Sequence, residues 1–366
     1  MKSIVFLYDL YYDFKKNIIT IGGIQTYLAD LINICTSLGY SVSLYQIGDC
    51  EKCVEIDGYQ IYQINVAKCD YEAFYKIVVS KIDKDTVVIF GTETIVPRNL
   101  LGHKAISIQH GIYWDKPAET KKGGDLRMFI SKAIRNYHII KHVKSLDTLV
   151  CVDYNYVNWL RAETDNVSSS LRVIPNYTKI APIYKKTKEI INIIFARRLF
   201  EYRGTRIFAD AAEKILKEYS NIHITVAGTG PDEKYMRDKL AAFNNVSFIS
   251  YKSSESLDIH ADKHIAVVPT IGSEGTSLSL LEAMSAQCAV IASNVGGMTN
   301  IILDDFNGLM VNAGDSLDLY RAMKRLIDNP TVMNRLSENA YKTVKQAFSY
   351  ERWAEKWTTV IKSIIE

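Results

Sequence analysis

Short apolar runs alternate along this chain with longer segments whose apolar positions recur at helical spacing. In the first half the runs are IVFLY from Ile4, SVSLYQI from Ser41, TVVIF from Thr86, AISIQ from Ala105 and TLVCV from Thr148. Several are continuously apolar, as strands become when helices cover both faces of their sheet. A helix is predicted from Gly23 to Leu38, and Gly39 is a natural stop for it. A second series follows: INIIFA from Ile191, HITVAG from His223, VSFIS from Val246, HIAVVP from His264 and AVIAS from Ala289, each trailed by a helical pattern. Alternation of this kind predicts βαβ units and parallel sheets. Between the two series, PNYTKIAPIYKKTKE, starting at Pro175, has two prolines, four lysines and little periodicity. It reads as a linker. The expected organisation is α/β throughout: a doubly wound, Rossmann-like domain over 1–175, a linker over 176–190 and a second such domain over 191–348. A terminal amphipathic helix follows over 349–366, with Trp353, Trp357, Val360 and Ile364 at helical spacing. That helix packs on the second domain in the simplest reading, or returns to the first. Ligands of such sheets bind at the carboxyl ends of the strands.

Composition sharpens this only a little. A chain of 366 residues with 48% hydrophobic and 23% charged residues can build two ordinary cores. Its net charge of +3 is too small to argue for nucleic acid, and no nucleic-acid partner is expected. The 6 cysteines are too sparse for a disulfide scaffold. Cys50 and Cys53 form a C-x-x-C in an acidic, turn-like stretch, but a zinc site wants four ligands and no second close pair appears. Asp83-Lys84-Asp85 precedes a strand instead of following it, away from the ligand end, so no metal is expected. No signal peptide is visible, and no apolar run approaches the roughly 20 residues of a membrane span. The expected location is cytoplasmic, free or peripheral on the inner face of the plasma membrane.

The most informative stretch is SEGTSLSLLEAMSA, Ser273 to Ala286. It follows a strand and Pro269, and Thr276 or Ser277 is a good N-cap for the helix that follows. A helix starting there turns its unsatisfied N–H groups toward the ligand end, an arrangement suited to a diphosphate. Glu274 and Glu282 have seven residues between them. A carboxylate at Glu282 can accept hydrogen bonds from the two vicinal hydroxyls of a ribose. A capped helix with two solvated glutamates has the same spacing.

This segment resembles the Glu-x7-Glu motif of the family-4 retaining glycosyltransferases, and the likeness covers essentially the whole chain. It implies the GT-B fold, two Rossmann-like domains facing a central cleft, with the acceptor side in 1–175 and the nucleotide-sugar side in 191–348. GGIQTYL, from Gly22 and Gly23 onward, is similar to the family's glycine loop, where small residues let backbone N–H groups approach an anion. ARRLFEYRG resembles its Arg…Lys-Gly segment. Arg198 matches the arginine, Arg203 stands where a lysine is usual, and Arg197 has no assigned role. An arginine keeps the charge and offers a flat fork in place of a point charge. His110, in SIQHGIYWD, falls where the family has a histidine facing the donor sugar, with Asp115 as a neighbour. VAGTGP resembles the loop beside the nucleotide, with Gly228 and Gly230 in a tight turn, and NVGGMTNII resembles a structural segment.

The resemblance therefore implies a metal-independent transfer of a hexose-type sugar from a nucleotide-diphosphate sugar, with retention of configuration and no cofactor. His110, Arg198, Arg203 and Glu274 would be catalytic. Gly22, Gly23, Gly228, Gly275, Thr276, Ser277, Leu278 and Glu282 would bind the donor. The combination looks most like bacterial surface-polysaccharide transferases of O-antigen or capsule type, with a glycan or polyprenyl-linked acceptor. Residues 121–144 carry seven Lys or Arg against one Asp, with Phe129, Ile130, Ile134 and Tyr137 among them at near-helical spacing. Such a helix rests on an anionic membrane surface or packs its apolar face on the core. Rival readings are another GT-B enzyme, such as an epimerase, and a catalytically silent partner that binds nucleotide sugar.

Overall fold

The computed structural model describes residues 2–20, 22–112, 125–164, 171–187, 189–272 and 274–365. The chain divides into two compact units, one formed by 1–110, 120–174 and 354–366, the other by 111–119 and 175–353.

In the first unit the chain runs β1 (Ser3–Tyr8), β2 (Tyr12–Asp13), β3 (Ile18–Ile19), α1 (Gly23–Ser37), β4 (Ser41–Gly48), β5 (Lys52–Ile56), β6 (Tyr59–Asn65) and α2 (Tyr71–Val79). It continues β7 (Val87–Phe90), β8 (Ala105–Gln109), α3 (Asp125–Val143), β9 (Thr148–Cys151), α4 (Tyr154–Glu163) and β10 (Leu171–Val173). Eight of these strands form one sheet in the order β10-β9-β8-β7-β1-β4-β6-β5. All neighbours are parallel except β5 and β6. The apolar runs β7, β8 and β9 are buried along their whole length, as parallel strands between helices must be. The Cys50–Cys53 stretch is not simply a turn: Cys53 lies on β5, the antiparallel edge strand, whose alternate exposure left no apolar run to read. The small hairpin β2–β3 is separate from the sheet.

The second unit runs β11 (Ile191–Ala196), α5 (Thr205–Glu218), β12 (Ile222–Ala227), α6 (Glu233–Leu240), β13 (Val246–Ile249), β14 (Ile265–Val268) and α7 (Leu278–Ser285). β15 (Ala289–Ser293), β16 (Leu309–Val311), α8 (Ser316–Asp328), α9 (Pro330–Ala347) and the first residues of α10 (Tyr350–Ile365) complete it. Its sheet, β13-β12-β11-β14-β15-β16, is parallel throughout. The period-2 geometry of a strand divides β11 between two cores. Ile193 and Phe195 pack with residues of α5 and α8, whereas Ile194 and Ala196 pack with residues of α7 and α9. Burying both faces is what makes the sheet doubly wound.

α10 is shared between the units. Through Trp353 it belongs to the second, where the Trp353 ring lies tilted against Tyr177 with centroids 4.3 Å apart. From Ala354 it belongs to the first. There the Trp357 indole N–H donates to the Tyr27 hydroxyl at 2.7 Å, and Lys2 and Lys104 each donate to one of the helix's last carbonyls, Ile365 and Ile364, at 2.7 Å. Lysines are suited to that negative helix end.

Candidate functional site

Each sheet has a point where the chain reverses its direction of travel across the strands, and open α/β sheets bind ligands in the crevice there. In the second unit it lies between β11 and β14, so the loops after these two strands frame it.

The loop after β11 carries three arginines, and the structure separates them. Arg197 is buried. One guanidinium nitrogen donates to Thr270 Oγ1 and the other to Glu274 Oε2, both at 2.6 Å. Arg203 pairs with the same Glu274 oxygen, and Thr270 Oγ1 donates to it at 3.3 Å. Arg198 is exposed, its guanidinium 5.8 Å from the centroid of the Phe200 ring. Burial by itself would raise the Glu274 carboxyl, but the charges of Arg197 and Arg203 and the hydrogen bonds from Arg197 and Ser277 outweigh it and hold Glu274 below its ordinary value. Burial pulls Arg197 down from its usual value while Glu274 pulls it back up. Both groups are ionised at neutral pH. Three guanidiniums against one carboxylate leave a net positive charge at the carboxyl end of the sheet. The sequence had matched Arg198 and left Arg197 unassigned, because an adjacent pair gives no means of telling which side chain turns inward.

Glycines hold this loop in place. Gly204 has φ +82°, and a Cβ there would come within 1.9 Å of the Pro269 carbonyl. Arg203 is thus set directly against the loop after β14, and the Ile271 N–H donates to Tyr202 O at 2.9 Å. Gly228 and Gly230, after β12, lie against the Arg197 and Leu199 carbonyls, where a Cβ would approach within 2.1 and 2.4 Å. The Gly296–Gly297 pair of NVGGMTNII backs the other side, with the Gly297 N–H donating to Glu274 O at 2.9 Å. Gly22 of the first unit differs: its φ of 177° is extended backbone open to any residue.

Gly275, Thr276, Ser277 and Leu278 lead from Glu274 into α7, and Ser277 is the N-cap residue. Its side chain makes no cap bond to the helix and turns instead to Glu274 and to the Ser279 hydroxyl at 3.4 Å. The Thr276 carbonyl accepts from Asn176 Nδ2 at 2.8 Å. Glu282 lies one turn along α7. Burial pushes its carboxyl up to about 7, against a hydrogen bond from Ser256. The Tyr251 hydroxyl is pushed up to about 12 by burial and by the Glu282 charge, with Arg197 opposing, so Tyr251 lies within electrostatic reach of both. Ser256 and Tyr251 join the site from a loop distant in sequence, and Thr270 from the loop that carries Glu274, with no local motif to announce them.

His110 belongs to the first unit, just past β8. Its Nε2 lies 3.0 Å from the Gly91 carbonyl, which only accepts, so the proton sits on Nε2 and Nδ1 is an acceptor. Burial pulls the imidazole down to about 4, with that hydrogen bond opposing, and keeps it neutral. The ring meets Tyr27 of α1 edge-on, with centroids 5.1 Å apart. Gly22 and Gly23, at the start of α1, therefore belong to the same region as His110. Asp115, Ser273 and residues 121–124 of the basic stretch lie outside the described residues. Among the described residues no group of three or more His, Cys, Asp or Glu is arranged to hold a metal ion.

Residues 176–343 match the sequence pattern of the family described as Glycosyl transferases group 1. The uncharacterized glycosyltransferase MJ1178 of Methanocaldococcus jannaschii is 24% identical over 345 residues, 91% of this chain and 92% of that protein. A poly(ribitol-phosphate) alpha-N-acetylglucosaminyltransferase of Staphylococcus aureus is 22% identical over 319 residues, 82% of this chain and 60% of its own. Two further archaeal relatives align over 45% and 60% of their own length, so the chain spans only about half of some relatives it matches. Among solved structures, Anabaena HepE in complex with UDP superimposes with a TM-score of 0.73 at 14% identity, covering 99% of this chain and 100% of that one. At such identity the likeness is one of fold.

Proposed function

We propose that this chain, which has the GT-B fold and whose residues 176–343 match the group 1 glycosyl transferases, transfers a hexose-type sugar from a nucleotide-diphosphate sugar to a glycan or lipid-linked acceptor, with retention and without a metal. The observation that carries this reading is the cluster of Arg197, Arg203 and Glu274 beside the start of α7. It supplies positive charge fixed in advance where a departing diphosphate would develop negative charge. The bond from the anomeric carbon to the diphosphate breaks, the bond to the acceptor oxygen forms on the same face, and the acceptor proton passes to the leaving diphosphate. Arg198 and Arg203 neutralise that group, with backbone N–H groups near Gly22 and from Thr276 to Leu278. Glu274 and His110 hold the transferred sugar, and Glu282 the ribose. The UDP held by HepE supports a nucleotide diphosphate as donor.

The test is a thermal-shift titration with UDP, GDP, ADP, dTDP and CMP, repeated on Glu282→Ala. A ligand that binds the folded state must raise its stability. We expect one nucleoside diphosphate to raise Tm and the variant to lose the shift. No shift from any of the five would sink the reading.

The S. aureus relative acts on poly(ribitol-phosphate) by its name, and a Rhizobium leguminosarum relative is named for lipopolysaccharide core biosynthesis; we infer for this chain a similar class of work, surface-polysaccharide synthesis at the membrane face. Among the described residues no helix is long and apolar enough to cross a membrane. On α3, however, Leu126, Phe129, Ile130, Ile134 and Tyr137 are 49–71% exposed among basic residues. Apolar side chains exposed on a basic helix suit an anionic bilayer surface. The protein should sediment with liposomes containing phosphatidylglycerol and not with phosphatidylcholine alone, and Phe129→Ser with Ile130→Ser should weaken this. Equal sedimentation with both lipids would remove the membrane from the proposal.

A further inference from the structure

The first unit has its own reversal point, between β1 and β7: α1 leads from β1 to β4 on one side, and β7 returns on the other. The loop after β7 is pressed onto the end of β1. The Gly91 N–H donates to Leu7 O at 2.8 Å, and a Cβ at Gly91 would meet the Tyr8 ring at 2.8 Å. Two residues on, Glu93 opens a single 3-10 turn, Glu93–Ile95. Its side chain is half-buried, and among the described residues no cation pairs with it. His110 holds Gly91 from β8, and Cys151, the last residue of β9, lies within electrostatic reach, since burial and then the charges of Asp153 and Glu93 raise its thiol. Asp153 caps α4 through Oδ1, accepting from the Asn155 and Tyr156 N–H groups, and its buried Oδ2 has no hydrogen-bond partner among the described residues.

We infer that Glu93 is a substrate-binding residue of the first unit, whose carboxyl receives a hydroxyl of a sugar-containing acceptor at the β1–β7 reversal point. The inference rests on the reading of the chain as a sugar transferase and deepens it by naming an acceptor contact. The loop from Gly91 to Val96 offers no cation for phosphate, and a carboxyl without a counter-ion repels an anion. A sugar hydroxyl both donates and accepts. Burial pushes Glu93 up to about 7, so near neutral pH a large share of it is a carboxylic acid that also donates and accepts.

Saturation-transfer NMR with the methyl α-glycosides of glucose, galactose, mannose and N-acetylglucosamine tests this on the whole chain, with the nucleotide thermal shift as control. The parent should bind at least one glycoside. Glu93→Ala and the shortened acid Glu93→Asp should each weaken it about tenfold, the scale of one lost hydrogen bond with its partner left unmet. Glu93→Gln, which keeps a donor and an acceptor in place, should bind within about threefold of the parent, and all three should keep the nucleotide shift. Unchanged glycoside binding in Glu93→Ala or Glu93→Asp overturns the assignment. So does a parent that binds nucleotide and none of the four glycosides. A parent that binds glycosides through Glu93 and no nucleotide would instead strike the transferase reading and leave the sugar contact standing.

Discussion

The two reversal points have the same topology and opposite electrostatics. In the second unit a buried carboxylate is surrounded by guanidinium groups and stays ionised. In the first, a half-buried carboxyl with no counter-ion among the described residues sits near a neutral imidazole, and burial drives both toward their uncharged forms. Parallel strands and βα loops do not dictate charge. The residues just past each strand do, and in the proposed reading they suit one crevice to an anion and the other to neutral hydroxyls.

The sharpest way to break this contrast is to remove Glu274. Glu274→Ala leaves Arg197 buried without its counter-charge. Losing one member of a buried pair costs about 3–5 kcal/mol, so Tm should fall by several degrees and transfer should be lost. A variant with unchanged Tm would mean that the pair is not formed in solution. The adjacent arginines give a smaller and more selective test. Arg197→Ala should lower both Tm and turnover. Arg198→Ala, at an exposed side chain, should leave Tm within about 1 °C, since surface changes away from such networks stay near ±0.5 kcal/mol, while turnover drops. If both variants lost the same stability, the division between an inward and an outward arginine would be wrong.

The smallest effect is in pH dependence, where the two acids should slope in opposite directions. Glu93 rises from 4.5 to about 7 on folding. Between those values the folded state holds a proton that the unfolded state has released, so Glu93's contribution to stability falls as pH rises through that window. Glu93→Gln should therefore match the parent's Tm at pH 4 and exceed it at pH 8. Glu274 is lowered on folding, so its contribution is present above 4.5 and lost as pH falls through its depressed value. Melting curves of the parent, Glu93→Gln and Glu274→Gln from about pH 2 to about pH 8 check both signs. A Glu93→Gln difference that does not change with pH would show that the carboxyl is not raised.

Much of the fold was legible because burying both faces of a strand writes a continuous apolar run. β7 and β14 are wholly apolar, and β1 and β9 are so after their first residue. What was not legible lacks that cause. β5 is an exposed edge, β6 mixes Tyr and Gln with Ile, and β10 and β16 have three residues each. In the site, the Glu274–Glu282 spacing could be read as a motif, with Glu282 one turn into α7 and Glu274 in the loop before it. Tyr251, Ser256 and Glu93 could not, because they follow other strands, and Thr270, in the same loop as Glu274, has no motif of its own. The Arg197–Arg198 pair could be seen, but which side chain turns inward depends on where β11 ends.

The shared helix α10 bears on the order in which the molecule can be finished. The first unit needs residues 354–365, whose Trp357 and last carbonyls are held by Tyr27, Lys2 and Lys104. Every residue of the second unit is synthesised before those arrive. A ribosome making this chain therefore starts one body, completes the other, and only then supplies the piece that closes the first. Until that moment the sheet of the first unit rests on a core with one wall missing.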